Sequence, residues 1–241
     1  MAKTLLLLET AEPVQLETAL ADRLAQHFPG DRQVAVSLMR AVAEDHLHDP
    51  GSRHGRPQVV LELVAAPGLP TSALVDSLRE CLAGVPVAQS SIVLHMDERV
   101  FISGEPQPIH YHYLMVKRAE FSAADYRDYY VNYHHRMAFN TPAISTYAQN
   151  YVDPQGSARI AAALGLDTRE VTSVSELTMA SLEAFVGHPD LAAVGGPAAE
   201  DEARFVDRDD SVSFCSEVVL RLGDREVVRE AVFEQHFPPA L

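Results

Sequence analysis

Ten consecutive residues, Tyr126 to His135, hold four tyrosines and two histidines in the order Y-R-D-Y-Y-V-N-Y-H-H. An imidazole has an ordinary pKa of about 6.5, so it takes or gives a proton at neutral pH without a large shift. Tyrosine hydroxyls beside it can hold a developing oxyanion or orient a phenol, and their rings offer flat apolar walls. The same residues also suit plain packing, with hydroxyls at the edge of a core and a hydrogen-bonded histidine at its border. Spacing sharpens the choice. Ser122-Ala123-Ala124-Asp125 has the form of a helix start, with Ser at the cap and an acid three residues on. At about 100° per residue, Tyr126, Tyr130, Tyr133 and Met137 fall in a stripe roughly 60° wide that must be buried. His134 lies about 40° from Tyr130 on the flank of that stripe, whereas His135 points with Asp128 towards solvent. His134 is therefore the candidate proton carrier.

Other residues could do chemistry with less support. His110-x-His112 on a strand puts two imidazoles on one face, a spacing that metal sites use, but no carboxylate or third histidine stands at a fixed spacing from them. The pair reads as a partly exposed strand end. His46, His48 and His54 lie in a polar loop with Asp45 and Asp49 and read as solvated. Glu200-Asp201-Glu202 and Asp207-Arg208-Asp209-Asp210 read as solvated faces and turns, with nothing to aim them at a pocket. Glu176 and Glu217 each interrupt an apolar strand, and a carboxylate on a strand face must find a partner or a cavity. Glu176 suits orienting His134 or binding a substrate; an ion pair with Arg118 or Arg204 fits it equally. Gly195-Gly196-Pro197 reads as a loop, and no phosphate-binding glycine pattern occurs.

The elements that must position these groups follow from periodicity. In the first half, strands are predicted at Thr4–Leu8, Gln33–Val42, Gln58–Val64 and Ser90–Phe101, with helices over 14–28, stopped by Pro29-Gly30-Asp31, and over 71–82. In the second, strands are predicted at Ile109–Lys117, Ser145–Val152, Val171–Ala180 and Val212–Leu222, a helix at Ser122–Asn140, and helical pieces from Leu182 towards Phe205. Residues past Asp224 read as an arm or helix. Both halves have the order β-α-β-β-α-β, that of a ferredoxin-like unit. The expected fold class is α+β: two ferredoxin-like units in tandem, spanning 1–104 and 105–241, that form an intramolecular α+β barrel with a pocket between sheet and helices in at least one half. Ser103-Gly104-Glu105-Pro106 is the linker.

Composition limits the partners. The 241 residues are 47% hydrophobic, enough for a sizeable core, and carry 34 acidic against 19 basic residues for a formal charge of -15. That balance, with no Lys/Arg cluster, argues against nucleic acid and anionic membranes. The Leu run at residues 5–8 ends at Glu9, too short for a signal peptide, and no stretch approaches the roughly 20 apolar residues of a membrane span. Cys81 and Cys215 form no metal-like or redox pair. A cytoplasmic setting is expected.

The run H-Y-L-M-V-K-R-A-E-F-S-A-A-D-Y-R-D-Y-Y-V-N-Y-H-H-R-M, then I-S-T-Y-A-Q-N-Y-V, V-T-S-V-S-E-L, A-E-D-E-A-R-F-V-D and S-F-C-S-E-V, resembles the EthD family of the dimeric α+β barrel superfamily over about residues 108–220. The first half looks like a degenerate copy that keeps the fold. The resemblance places the family's helix histidine on His134, its aromatic pair on Tyr129 and Tyr130, its strand polar pair on Gln149 and Asn150, and its third-strand acid on Glu176. Arg136 stands where the family often has proline.

The resemblance implies a pocket, free of metal and organic cofactor, for a small aromatic or polyketide-type molecule. His134, Tyr130 and Glu176 would be catalytic, and Tyr126, Tyr129, Tyr133, Met137, Gln149 and Asn150 would bind the substrate. Decarboxylation, cyclisation or isomerisation by proton transfer is the first expectation. The alternatives are oxygen-dependent oxidation of a phenol or anthrone and non-catalytic carriage of a ligand, with haem a distant third because larger two-unit barrels of the superfamily take it through a histidine. The chain is expected to be a monomeric pseudo-dimer or a homodimer, since fusion removes the need for a dimer without forbidding one.

Overall fold

The first strand, β1 (Ala2–Leu8), is buried from Lys3 onward because both of its faces are covered. Strands covered on both faces read as continuous apolar runs rather than as alternation. The same holds for β3 (Val59–Ala65), whose seven residues are all buried. The computed structural model describes residues 1–28, 33–48 and 55–223.

Along the first half, β1 is followed by α1 (Pro13–His27), β2 (Val34–Ala41), β3, α2 (Thr71–Leu82) and β4 (Ile92–Ile102). The second half runs β5 (Ile109–Lys117), α3 (Ala123–Tyr129), a π-turn (Tyr130–His134), α4 (His135–Ala138), β6 (Ile144–Val152), α5 (Pro154–Leu164), β7 (Ser173–Met179), α6 (Leu182–Val186), α7 (Leu191–Phe205) and β8 (Val206–Leu222). The eight strands of the described residues close into one antiparallel barrel in the order β1-β3-β2-β8-β5-β7-β6-β4. Two long strands join the halves. β4 pairs with both β1 and β6, and the 17-residue β8 pairs with both β5 and β2. The expected pair of ferredoxin-like units is thus present as a single α+β barrel with helices outside.

Strand residues alternate between lumen and exterior. In the first half the exterior is aliphatic: Leu6, Leu8, Val36, Leu38, Leu61 and Leu63 pack under Leu16, Leu20 and Leu24 of α1 and Leu74 and Leu78 of α2. Leu5, Leu7, Met39, Val60, Leu94, Leu114, Val174 and Phe214 fill the lumen.

Three features depart from the sequence reading. An additional helix, α5, separates β6 from β7; Asp153 caps it by accepting from the Gln155 amide, and Gly165 ends it in the left-handed region (φ 70°). Its Ile160 and Ala161 pack into the aliphatic cluster of the first half. Gly195, Gly196 and Pro197 lie inside α7, not in a loop. β8 starts at Val206, six residues ahead of the predicted Val212. Pro29 to Asp31, His54 and the residues past Gly223 lie outside the described residues.

Candidate active site

Ser122 caps α3 as predicted, accepting from the Asp125 amide at 3.1 Å. From there the helix does not stay α-helical, because Tyr130 to His134 form a π-turn. An i→i+5 turn takes more residues per revolution, so each advances by less than 100°. Four residues on from Tyr130, His134 therefore stands nearly above it rather than to its flank. Tyr133, three residues on, swings outward. The buried positions are accordingly Tyr126, Tyr130, His134 and Ala138, whereas Tyr133 is 54% exposed and Met137 half-buried. The predicted buried stripe is corrected at those two residues. His135 is likewise half-buried, its ring stacked on Phe101 at 5.2 Å between centroids, not in solvent.

The His134 imidazole is 8% exposed, and its Nδ1 lies 2.9 Å from Asp201 Oδ2. Asp201 also accepts a 2.6 Å bond from the Tyr129 hydroxyl and stands 3.7 Å from the Arg204 guanidinium. A carboxylate accepts only, so this contact places the imidazole proton on Nδ1 and leaves the Nε2 lone pair outward. On that side Glu202 Oε1 lies 3.9 Å away, too far for a hydrogen bond. Burial lowers the His134 pKa from the ordinary 6.5, with Asp201 opposing the shift, so the neutral imidazole is the ground state near pH 7. Burial raises Glu202 from 4.5 to about 7, with Arg208 opposing and Asp201 adding to it. A base and a carboxyl poised near neutrality thus face one another.

Aromatic rings build the wall behind them. Phe205 of α7 meets Tyr126, Tyr130 and His134 at centroid distances of 5.4, 5.8 and 5.1 Å. The Tyr126 hydroxyl bonds Ser173 at 2.7 Å. From β6, Gln149 donates to the Tyr147 hydroxyl at 2.8 Å and to the Tyr130 carbonyl at 3.0 Å, and accepts from the Tyr151 hydroxyl. Tyr129 and Tyr133 stack at 5.4 Å and form the outer rim.

Of the predicted site residues, Tyr126, Tyr129, Tyr130, His134 and Gln149 are brought together, with Tyr133 and Met137 at the margin. Glu176 and Asn150 are not. Neighbours on a strand point to opposite faces, so Gln149 faces the helix and Asn150 the lumen, where it donates to the Val174 carbonyl at 3.0 Å. Glu176 also faces the lumen, in an ion pair with Lys3 rather than with Arg118 or Arg204. His110 and His112, expected to be partly exposed, are 1% and 0% exposed inside the barrel. Glu217 is exposed.

Sequence reasoning misses Asp201 and Glu202, which read there as a solvated face. Their signal is their spacing to Phe205, four and three residues on, which puts acid and ring on one face of α7. A separate cleft of about 250 Å³ at one barrel mouth, lined by Leu7, Glu9, Leu114, Arg169 and Phe214, holds none of the predicted site residues.

Residues 118–209 match the EthD domain model. No protein of curated function matches the sequence. Among solved structures, the chain is similar to an anthrone oxidase-like protein (10% identity, TM-score 0.56, covering 91% of this chain and 92% of that one). It is also similar to a candidate monooxygenase from Fusobacterium nucleatum (7%, 0.57, 92% and 94%) and to a candidate chlorite dismutase (14%, 0.52, 91% and 94%). At these identities the likeness establishes the fold, and it extends over the whole barrel. The match to the EthD model covers only part of the half that carries His134.

Proposed function

We propose that the protein is a small-molecule enzyme in which His134 removes a proton from an acidic C–H or O–H of a phenolic or polyketide-type aromatic. The observation that carries this reading is the buried Asp201–His134 contact of 2.9 Å, with Glu202 at 3.9 Å from the opposite nitrogen. Asp201 fixes the tautomer and stabilises the imidazolium that forms once Nε2 takes the proton. The substrate is left as an enolate or phenolate. Glu202, held to about 7, is partly protonated at neutral pH and can donate to the new oxyanion. Return of the proton to another carbon would complete an isomerisation or cyclisation, and its return to the carbon that gives up CO₂ a decarboxylation.

The names of the similar structures favour a second reading of the same step. The carbanion of an anthrone reduces O₂: one oxygen atom becomes the new quinone carbonyl, the other leaves as water, and the methylene loses both hydrogens. Haem does not fit beside His134, because the Tyr126, Tyr130 and Phe205 rings fill the space between helix and sheet.

Anthrone tests both readings, since its methylene protons exchange through the same carbanion. In D₂O under nitrogen, the wild-type protein should accelerate loss of the methylene proton signal, and His134→Ala should lose about 10²-fold or more of that acceleration. Oxygen uptake under air then separates oxidation from proton transfer alone. Anthrone that binds equally to both proteins and exchanges no faster than in buffer would make the protein a carrier.

A further inference from the structure

The lumen opposite the aromatic site holds a charge cluster that the proposed reaction does not use. The Lys3 ammonium contacts Glu62, Glu98 and Glu176, and all four side chains are at most 3% exposed. Buried charge is retained where it is paired or coordinates a metal. His110, 1% exposed, points its Nδ1 at Glu176 Oε1 from 3.6 Å, and that nitrogen makes no hydrogen bond. His112 adds a second imidazole, its Nδ1 3.9 Å from Glu176 Oε2 and its Nε2 bonded to Ser216 at 2.9 Å. One ligand-capable atom from each of Glu62, His110 and Glu176 lies within 4.8 Å of the other two.

We infer that Glu62, His110 and Glu176 form a binding site for one divalent transition-metal ion inside the barrel. The donor set of one imidazole and two carboxylates suits zinc and its neighbours rather than calcium or magnesium, which take oxygen alone. Lys3 engages Oε2 of both Glu62 and Glu176, while His110 approaches Glu176 from the side of Oε1. Lys3 thus orients the two carboxylates from behind the site. Arg221 is the gate. It is an exposed residue whose Nη2 lies 3.4 Å from His110 Nε2 and also donates to the Gln107 carbonyl. A metal on Nδ1 requires the proton on Nε2, so this guanidinium must turn out to solvent when the ion enters.

The full chain, stripped with a chelator, is titrated with Co²⁺, whose visible bands report an imidazole- and carboxylate-bound site. One equivalent per chain should bind, raise the melting temperature by mass action and give bands that His110→Gln abolishes. Glu62→Gln removes one charge at nearly constant shape and should weaken binding at least 10-fold if His110→Gln fails to fold. Arg221→Ala should bind at least as tightly as wild type. Replacing His46, His48 and His54 together by alanine should change nothing. Binding below one equivalent in the wild type, bands that survive His110→Gln or Glu62→Gln, or bands lost with the loop histidines would overturn the inference. The readout is independent of His134 and of any substrate.

Discussion

Counted from their first residues, α1 and the segment formed by α3 and the π-turn bury the same positions with opposite chemistry. The fourth, eighth and twelfth residues are Leu16, Leu20 and Leu24 in one and Tyr126, Tyr130 and His134 in the other. Both sets lie between a helix and the outer face of a four-stranded half-barrel. In the first half this interface is sealed by Leu and Val, and in the second it carries hydroxyls, an amide, an imidazole and two carboxylates. The two halves share an order of elements, and on the proposed reading the first supplies packing and the second the chemistry. The π-turn marks the difference. It turns His134 onto Tyr130 and places Nε2 beside Glu202, whereas α1 is regular throughout.

The most drastic way to break this comparison is to make the second helix like the first. His134→Leu should keep the fold, as judged by circular dichroism, and abolish acceleration of anthrone exchange, a loss of about 10²-fold or more. The reciprocal damage is Leu20→Ala. It should cost about 2–5 kcal/mol in denaturant melts through the cavity left under α1, while exchange per folded molecule stays unchanged.

A third, smaller effect is electrostatic and belongs to the second half alone. Glu202 is raised from 4.5 to about 7, so the folded protein binds a proton between those values that the unfolded chain has lost. Stability should therefore fall as pH rises through this window, by at most about 3 kcal/mol, and remain lower above it. Glu202→Gln should flatten that slope in pH-dependent melts; an unchanged slope would place the titration elsewhere. The smallest effect expected is that of Tyr129→Phe. It removes one donor to Asp201, should cost about 1 kcal/mol of stability, and should slow exchange by less than tenfold.

Much of the second half was legible in its sequence because short-range chemistry specifies it. The Ser122 cap fixed the start of the helix, and helical spacing picked His134 over His135. What the sequence did not show depends on geometry without a local code. The π-turn has no composition cue of its own, and it moved Tyr133 and Met137 off the buried face. Strand alternation separates Gln149 from Asn150, yet the family resemblance carried both to one pocket as a pair. Register around a closed barrel brings Lys3 to Glu62, Glu98 and Glu176, four residues that lie on four different strands. Asp153-Pro154 and Gly165 are ordinary start and stop signals for α5, whereas a repeat of the first half's element order calls for no helix there.

The proposed chemistry needs a neutral imidazole base in the second half, oriented by Asp201. Titration of the ¹⁵N-labelled histidines by NMR, assigned with His134→Ala and repeated in Asp201→Asn, tests it most directly. The account predicts that at pH 7 His134 is neutral, protonated on Nδ1 with a bare Nε2, and that it titrates below 6.5; in Asp201→Asn the pKa should drop further as the opposing carboxylate is lost. A His134 that is charged at pH 7, or that carries its proton on Nε2, would contradict the account.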